Sequence, residues 1–577
     1  MLTERHSSSI TLLVFHTLVT ISGCSSSDAG GASTADAAGT PTSGGDSTSS
    51  NVASTTTGSA TSGGPAGTTT TTATGTSGGM GVTGSGGGTS TGNAANTSQG
   101  GATNSETSGE SGSGTTAGGR AVDVTIEPNP NSVLSAYVSW TTPEPASSLV
   151  QFGSGELTWE IEGAADVTEH RVLVIGMRAD TEYQMRALST GASGSFQGDG
   201  TFTTGTLPSQ IPVATISVHD VDKAQPGWTL MNVQKGDGTN RALSGAPPAA
   251  VIYDEAGHPV WYWINGTQNE RGGAISVDPT DVGVLMGPSE TTAPKEVDWA
   301  GNEVWACADL RCGGTSGLSH HSGKLSNGNY IVMRDAMNGS RISQIFEEHT
   351  AAGGQPVHSI GVEDAVTPPG SASGDWAHGN SITVDLENDV AYMSFRWLGL
   401  IKMQYSTQTM LWHLPASYGA QGMGDMTFVP ADSQFSDIHD PEIHDDGTIL
   451  FFDNGGYTGV IEDGNPSNLQ TRAVEYAIDE AAKTATLVWE WPGNFETDPW
   501  YKEQLYVPFW GDADRLANGN VLIAAGRRGT VEITPESRVI EVTKDTGEVV
   551  WELRLPKDHG VYRAERLYPL PLVRPVQ

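Results

Sequence analysis

Gly257-His258-Pro259-Val260-Trp261 is a glycine turn that leads into an apolar strand ending on tryptophan. The whole unit recurs at residues 301–305 and 547–551, and its tryptophan-ending strand recurs without the glycine at residues 410–412 and 487–489. Between its copies lies a second unit, in which a turn precedes an apolar strand, at residues 327–332, 446–450 and 518–523. Asn-Gly and Asp-Gly supply the positive φ angles that tight hairpins require. Each pair of units therefore predicts one small antiparallel sheet.

A series of such sheets at uneven spacing predicts a β-propeller, because four-stranded sheets of this kind pack radially as blades. Six blades are expected, beginning near Trp228, Ile275, His320, His378, His439 and Asp512. The single continuous repeat disfavours a tandem of flat sandwiches. The predicted fold class is all-β, with the six-bladed β-propeller over residues 210–577.

The N-terminal part of the chain has a different composition. Residues 25–119 consist almost wholly of Gly, Ser, Thr, Ala and Asn. They cannot bury enough apolar surface to offset the entropy of ordering, so residues 24–119 are predicted to be a disordered tether. Across the whole chain 66 acidic residues oppose 29 basic ones, and no basic patch occurs. Nucleic acid is therefore excluded as a partner.

Residues 1–23 have the layout of an export signal, with an apolar run from residue 10 to 21 and small residues before Cys24. Ile21-Ser22-Gly23-Cys24 resembles the bacterial lipobox, so Cys24 is predicted to be lipidated. The alternative is an ordinary signal peptide with an incidental cysteine. Lipidation predicts an extracytoplasmic protein anchored to a membrane, most simply the outer membrane or cell surface.

Residues 120–206 show short alternating apolar runs, which favour a small antiparallel β-sandwich. The run around Tyr183 resembles the tyrosine corner of a fibronectin type III-like domain, with Trp140 as its core tryptophan. No catalytic pattern occurs there, and a supporting role is expected.

Cys307 and Cys312 are the remaining cysteines. Export permits a disulfide between them, which would fix the loop that leads to His320. A zinc site is the competing interpretation, but the chain lacks a second cysteine pair.

Three successive blades carry histidine where the innermost strand should begin: His320-His321, His378 and His439. The turn glycines Gly328 and Gly447 follow His320 and His439 by the same eight residues. The start of each innermost strand lies at one mouth of a propeller, so these side chains are expected to converge on the axis.

Clustered imidazoles suit a metal, a proton relay or covalent catalysis. Asp440 and Asp512 keep a metal site open as an alternative. Arg396, however, is expected near the same mouth, and a guanidinium disfavours a nearby dication but clamps a sulfate or phosphate. Together with Asn380, the set predicts a site for a tetrahedral oxyanion, and we assign no metal and no cofactor.

Trp376-Ala377-His378-Gly379-Asn380-Ser381, followed by Ser394-Phe395-Arg396, resembles the signature of the bacterial arylsulfate sulfotransferases. His439-Asp440 followed by Phe452-Asp453-Asn454-Gly455, and the later Asn518-Gly519-Asn520, resemble further motifs of that family. The resemblance covers about residues 210–557 and leaves out the tether and the sandwich.

The resemblance implies a six-bladed enzyme that moves a sulfuryl group from an aryl sulfate to a phenol, without a nucleotide donor, by a ping-pong reaction through a sulfohistidine. It implies that His439 is the nucleophile, and that His378, Asn380 and Arg396 bind the sulfuryl oxygens. His378 would also protonate the leaving phenol. His320 or His321 would complete the cradle, with His320 favoured by its spacing.

Ser322 departs from the family pattern, which often has an acidic residue there. Other readings of the sequence are a non-catalytic propeller that binds an anion or a protein partner, and a metal-dependent propeller enzyme.

Overall fold

The computed structural model describes residues 119–235, 247–266, 276–288, 293–307, 317–417, 423–455, 471–493, 495, 506–507, 509–526, 537–557 and 559–576. The predicted signal peptide, Cys24 and all but the last residue of the predicted tether lie outside these ranges, as does Cys312. Within them the only helical elements are α1 (Val362–Ala365) and a 3-10 turn (Ala431–Ser433). No helix in the described ranges is long and apolar enough to cross a membrane.

The first eight strands form a sandwich: β1 (Arg120–Ala121), β2 (Thr125–Pro128), β3 (Ala136–Ala146), β4 (Leu149–Gly153), β5 (Trp159–Glu162), β6 (Val167–Val174), β7 (Glu182–Gly191) and β8 (Gly194–Thr203). Burial alternates along β3, and Trp140 is buried where it stacks on His170 at 4.7 Å between ring centres. The Tyr183 hydroxyl accepts a hydrogen bond of 2.8 Å from the backbone N–H of Arg178. This is the contact expected of a tyrosine corner.

The remaining strands are β9 (Thr215–His219), β10 (Trp228–Lys235), β11 (Ala249–Tyr253), β12 (Pro259–Ile264), β13 (Val277–Pro279), β14 (Gly283–Met286), β15 (Lys295–Asp298), β16 (Glu303–Ala306), β17 (Leu318–Lys324), β18 (Tyr330–Asn338), β19 (Arg341–His349), β20 (His358–Gly361), β21 (Gly374–Asp375), β22 (Gly379–Asp385), β23 (Val390–Phe395), β24 (Gly399–Gln404), β25 (Thr409–Pro415), β26 (Thr427–Val429), β27 (Ile438–Ile443), β28 (Thr448–Asp453), β29 (Arg472–Asp479), β30 (Thr484–Trp491), β31 (Asp512–Arg515), β32 (Val521–Ala525), β33 (Arg538–Val542), β34 (Val549–Arg554), β35 (His559–Gly560), β36 (Ala564–Leu567) and β37 (Val573–Pro575).

Apart from β37, these strands form six separate sheets, which we number as blades; their pairing is antiparallel except for β21 beside β19 and β26 beside β30. In order from the innermost strand they are blade 1 (β36-β10-β11-β12), blade 2 (β13-β14-β15-β16), blade 3 (β17-β18-β19-β20), blade 4 (β22-β23-β24-β25), blade 5 (β27-β28-β29-β30) and blade 6 (β31-β32-β33-β34-β9). The predicted all-β fold with a six-bladed propeller is confirmed. The fibronectin type III-like assignment of the sandwich stays a prediction.

The recurring tryptophans connect neighbouring blades. Trp261 of blade 1 donates its indole N–H to the carbonyl of Trp299 in blade 2, at 2.9 Å. Trp489 of blade 5 does the same to Lys544 in blade 6, at 2.9 Å, and Trp551 of blade 6 to Glu255 in blade 1, at 3.3 Å. Each indole thus buries a large apolar ring between sheets while its N–H satisfies a turn carbonyl. This contact accounts for the strand ending in three of the five copies, those at Trp261, Trp489 and Trp551.

The ring closes through strands from both ends of the propeller. β36, near the C-terminus, is the innermost strand of blade 1, and β9, near its N-terminus, is the outermost strand of blade 6. The expected start of blade 1 at Trp228 therefore marks its second strand, not its first. β37 leaves the propeller and pairs with β5 of the sandwich. The predicted propeller range of 210–577 thus includes one strand that belongs to the sandwich sheet.

Candidate active site

The innermost strands of blades 3, 4 and 5 all begin with an irregularity of the backbone. His320 has φ of 52°, His378 has φ of 57° and Asp440 has φ of 42°. Residues with side chains rarely adopt this left-handed conformation, which costs on the order of 1–3 kcal/mol and is concentrated at functional sites. The pairing with the second strand also shifts at each of these places.

The three histidines were expected at equivalent positions, and the structure corrects this for one of them. In blades 3 and 4 the left-handed residue is the histidine itself, whereas in blade 5 it is Asp440, the residue after His439. His439 instead lies in the strand, paired with Phe452 of β28. The backbone thus presents His439 differently from His320 and His378.

His320 and His378 face each other across the axis end of blades 3 and 4. Their ring centres are 5.1 Å apart with the planes at 75°. The Nδ1 atom of His320 is hydrogen-bonded to the Ser319 hydroxyl, and Nδ1 of His378 to the Asp375 carboxylate. Each ring therefore has Nδ1 occupied and keeps Nε2 for a ligand. The indole of Trp397 packs 5.2 Å from the His378 ring.

The surroundings hold His320 neutral and Asp375 ionised. Burial, with a smaller contribution from the charge of His378, lowers the pKa of His320 to about 3. Burial alone would raise the pKa of Asp375, but the hydrogen bond and charge of His378 outweigh it and hold that pKa below its ordinary value. His378 is thus hydrogen-bonded to an ionised carboxylate.

His439 is 2% exposed and its ring is held by Asn454. The Asn454 amide nitrogen donates to the carbonyls of Val507 and Trp510, both at 2.7 Å. Its side-chain oxygen must therefore face Nδ1 of His439, which lies 2.5 Å away. Because a carbonyl oxygen can only accept, Nδ1 carries the proton and Nε2 keeps its lone pair.

The protonation state of His439 follows from its position. Burial is the main cause that holds its pKa well below the ordinary value, and the positive charge of Arg396 lowers it further, while the hydrogen bond to Asn454 opposes the shift. The neighbouring rings of His320 and His378 disfavour a proton on His439 in the same direction as Arg396. These contributions also place the four side chains within electrostatic reach of one another. The result is a neutral imidazole with a free Nε2 beside cationic groups, which is the state required of a nitrogen nucleophile.

Arg396 is 4% exposed and is positioned by two contacts. Its Nε and Nη2 atoms both lie 3.2 Å from Oδ2 of Asp437, and its guanidinium stacks over the Phe509 ring at 5.2 Å from the ring centre. The backbone N–H of Arg396 donates to the carbonyl of His378 at 2.8 Å, which fixes the arginine relative to the histidine. Burial raises the pKa of Asp437 to about 6, although Arg396 opposes this rise.

Asn380 is fully buried between blades 4 and 5. Its amide nitrogen donates to the carbonyl of Ile438 at 2.6 Å, which fixes the strand directly before His439. Its side-chain oxygen is buried without a hydrogen-bond partner in the described part of the chain. The structure therefore gives Asn380 a positioning contact, and its predicted contact with a substrate stays a prediction.

Of the adjacent histidines, only His320 joins this group. Nδ1 of His321 lies 3.2 Å from Nη2 of Arg563. His321 also lines a cavity of about 770 Å³ along the propeller axis. Burial, with Arg563 as the second cause, holds the pKa of His321 well below its ordinary value.

Of the predicted disulfide, Cys307 is disulfide-bonded and Cys312 lies outside the described residues.

Sequence reasoning missed the residues that support the histidines and Arg396. Tyr562, 1% exposed, packs edge-on against His320 and His439, with ring centres 6.5 and 6.0 Å away. It reaches the site from the C-terminal segment, and nothing in the local sequence marks it. Asp375 and Asp437 lie three and two residues before a predicted histidine, so proximity along the chain was the available signal.

The arrangement can bind and attack a tetrahedral oxyanion. A neutral imidazole supplies the nucleophile, a buried guanidinium supplies a fixed cation, and a carboxylate-paired imidazole can carry a proton. Preorganised donors in a buried site stabilise developing negative charge far better than water does.

Comparisons with known proteins agree with this chemistry. The family model described as arylsulfotransferase (ASST) matches residues 362–563. The arylsulfate sulfotransferase AssT of Escherichia coli O6:H1 is 30% identical over 241 residues, covering 37% of this chain and 38% of that protein. AssT of Lelliottia amnigena is 29% identical over 228 residues, covering 35% and 38%. The chain thus spans less than two thirds of the length of either relative.

Among solved structures, the β-propeller domain of Cps50 (Swd1) from Myceliophteria thermophila is similar at 10% identity and a TM-score of 0.31, over 59% of this chain and 90% of that one. The segment matched by the family model begins at α1 and contains His378, Arg396 and His439, whereas His320 precedes it. Over this segment the chain is therefore similar to the arylsulfate sulfotransferases.

Proposed function

We propose that the propeller transfers a sulfuryl group from an aryl sulfate ester to a phenol through a sulfohistidine at His439. The observation that carries the proposal is the hydrogen bond from His439 Nδ1 to Asn454, which leaves an unprotonated Nε2 beside Arg396. A metal or nucleotide donor is not needed for this step, because the nucleophile is neutral and the charge that develops is met by fixed donors.

In the first half-reaction the lone pair of His439 Nε2 attacks sulfur. The S–N bond forms as the bond from sulfur to the aryl oxygen breaks, and the electron pair of that bond leaves with the aryl oxygen. His378 donates its Nε2 proton to this oxygen, and Asp375 stabilises the protonated ring beforehand. Arg396 stays bound to Asp437 and its positive charge faces the sulfuryl oxygens as their negative charge redistributes.

In the second half-reaction a phenol replaces the departed one. Its oxygen attacks sulfur, its proton passes to His378, and the S–N bond breaks so that His439 regains its lone pair. The same proton site thus serves both directions, as a ping-pong exchange between similar phenols requires. Trp397, against the ring of His378, supplies an aromatic surface on which either phenol ring could stack.

The test is the reaction of the full chain with 4-nitrophenyl sulfate, with and without a second phenol and without added nucleotide. We expect a burst of one nitrophenol per protein, continued turnover only with the acceptor, and the mass of one SO3 group on the peptide that contains His439. His439→Asn should abolish the burst and the mass change with the fold intact by circular dichroism.

His444→Asn is the matched control, since His444 lies just beyond the same strand but is engaged by Glu442 and Thr448. It should keep the burst. A protein that binds aryl sulfate without releasing nitrophenol would instead support a non-catalytic anion-binding propeller. Sulfation of a different residue would overturn the assignment of His439.

A further inference from the structure

Carboxylates from blades 6 and 1 meet beside the axial cavity that His321 lines. Asp512 and Asp514 stand two residues apart on β31, the innermost strand of blade 6, so both side chains project from the same side of that strand. Glu565 comes from β36, the innermost strand of blade 1. One carboxylate oxygen from each of the three lies within 4.8 Å of the others.

These carboxylates lack the partners that buried charges normally have. Asp512 is 1% exposed; its Oδ2 accepts one backbone N–H, from Ala564 at 3.2 Å, and its Oδ1 is buried with no donor among the described residues. Its carboxyl group lies beside that of Asp440, with which it can form a hydrogen bond only when one of the two is protonated. Oδ2 of Asp514 is likewise buried and unpartnered. Within the described residues, the neighbouring cation Arg563 forms its ion pairs with Asp278 and Asp440 instead.

An unpaired cluster of this kind is costly. Burial is the main cause that raises the pKa of all three groups, for Glu565 to about 8, and the nearby carboxylate of Asp440 raises each of them further. The ionised cluster is therefore unstable without a counter-charge. The charge can be removed by protons or balanced by a cation. The oxygen of Asp512 that has no donor favours a bound cation, because buried carboxylate oxygens normally accept hydrogen bonds or contact a positive charge.

We propose that Asp512, Asp514 and Glu565 bind a divalent cation, with Ca²⁺ as the best fit. All the donor atoms are carboxylate oxygens, which are hard ligands and bind hard cations such as Ca²⁺ in preference to softer metal ions. Ligands at about 2.3–2.6 Å from Ca²⁺ lie at most about 5 Å apart, and the observed 4.8 Å limit falls within that range.

The cation would join the two innermost strands at the seam of the ring. Blade 6 and blade 1 are the blades that are completed by strands from the ends of the propeller, β9 and β36. A bound cation would cross-link β31 to β36 and so stabilise ring closure. The inference concerns stability and stands whether or not His439 is a nucleophile.

The test is calcium binding by the full chain after treatment with EDTA and dialysis. Titration calorimetry should give a Kd below about 1 mM, and thermal unfolding should shift upward by several degrees at saturating Ca²⁺. The variant Asp512→Asn/Asp514→Asn should lose both effects. Glu442→Gln is the matched control, because Glu442 lines the same cavity but already accepts from Arg515 N–H and His444.

A second readout covers the case in which the double variant fails to fold. Tb³⁺ should bind the wild-type chain with luminescence sensitised by nearby aromatic rings, and Ca²⁺ should displace it. Absence of a calorimetric signal and of any thermal shift up to about 10 mM Ca²⁺ or Mg²⁺ would overturn the proposal and indicate a proton-sharing cluster. Equal loss of binding in Glu442→Gln would place the cation elsewhere in the cavity.

Discussion

The hydrogen bond between Asn454 and His439 gives the sharpest prediction about the site. Asn454→Ala removes the acceptor that keeps the proton on Nδ1, so the ring is free to turn and to adopt the other tautomer. Loss of a buried hydrogen bond to a polar group costs about 1–3 kcal/mol. At 1.36 kcal/mol per tenfold change, the rate constant of the first half-reaction should fall roughly 5- to 150-fold.

The same substitution also weakens the fold, and this effect must be separated. The carbonyls of Val507 and Trp510 lose their donor, which should lower the free energy of unfolding by about 1–3 kcal/mol for each carbonyl left unsatisfied. Thr471→Val is the matched control. Thr471 donates to the Asn454 carbonyl at 3.1 Å and accepts from Val507 N–H at 2.7 Å, so it anchors the same segment without a hydrogen bond to the imidazole.

The assay is the pre-steady-state burst of nitrophenolate at saturating donor, measured beside urea unfolding of each variant. We expect Asn454→Ala to lose burst rate and stability, and Thr471→Val to lose stability with a burst rate within about threefold of the wild type. Equal burst rates in Asn454→Ala and the wild type would refute the tautomer argument. Equal losses in both variants would mean that the segment, and not the hydrogen bond, controls the rate.

Three further predictions concern the neighbouring residues. His320→Ala should lower kcat/KM for the aryl sulfate at least tenfold, whereas His321→Ala should change the burst rate by less than about threefold, because His321 contacts Arg563 and not the other histidines. Arg396→Lys should lower kcat roughly 100-fold, since an ammonium cannot reproduce the two-point contact with Asp437 while presenting charge to the sulfuryl group. The pKa of His320 is lowered from 6.5 to about 3, so between these pH values the unfolded chain binds more protons than the folded chain. His320 should therefore lower the free energy of unfolding as the pH falls from about 6.5 to 3, and urea unfolding of His320→Ala should show a shallower loss of stability over that range. An identical slope in the variant and the wild type would contradict the pKa assignment.

Much of the fold is predictable from sequence because its signals are local. A hairpin turn and the strand that ends on tryptophan are each recognisable within about ten residues of sequence, although the indole N–H of Trp261 bonds to the next blade, 38 residues further along the chain. Ring closure is not local. β36 pairs with β10 more than 300 residues earlier in the chain, and no feature of either strand marks the partner. The start of blade 1 and the end of the propeller were therefore misplaced.

The site divides in the same way. His320 and His439 precede a turn glycine by the same eight residues, and His378 begins the innermost strand of the blade between them, so their convergence was expected from the blade pattern. Arg396 was expected there because it ends the next strand of the same blade as His378. The different backbone position of His439 could not be predicted in this way. It depends on where the register between β27 and β28 shifts, and the left-handed residue there is Asp440 rather than the histidine. Tyr562 enters from a strand segment whose position depends on ring closure, and it could be located only with the fold in hand.

The pairing of charges explains how an acidic protein can hold an anion at its axis. The chain carries a net charge of −37, and the axial cavity is lined by carboxylates. At the site, however, Arg396 faces Asp437 and His378 faces Asp375, so each cation that binds the ligand is already partly neutralised. Such a site favours an anion with one charge over one with two, because a second charge would meet no unpaired cation among the residues described at the site and would be repelled by the carboxylates. Under the proposed function this balance suits a sulfate monoester, which has a single charge, better than a phosphate monoester, which has up to two. Under the same proposal, the carboxylates that hold Arg396 and His378 in place would also set the charge of the group that the site accepts.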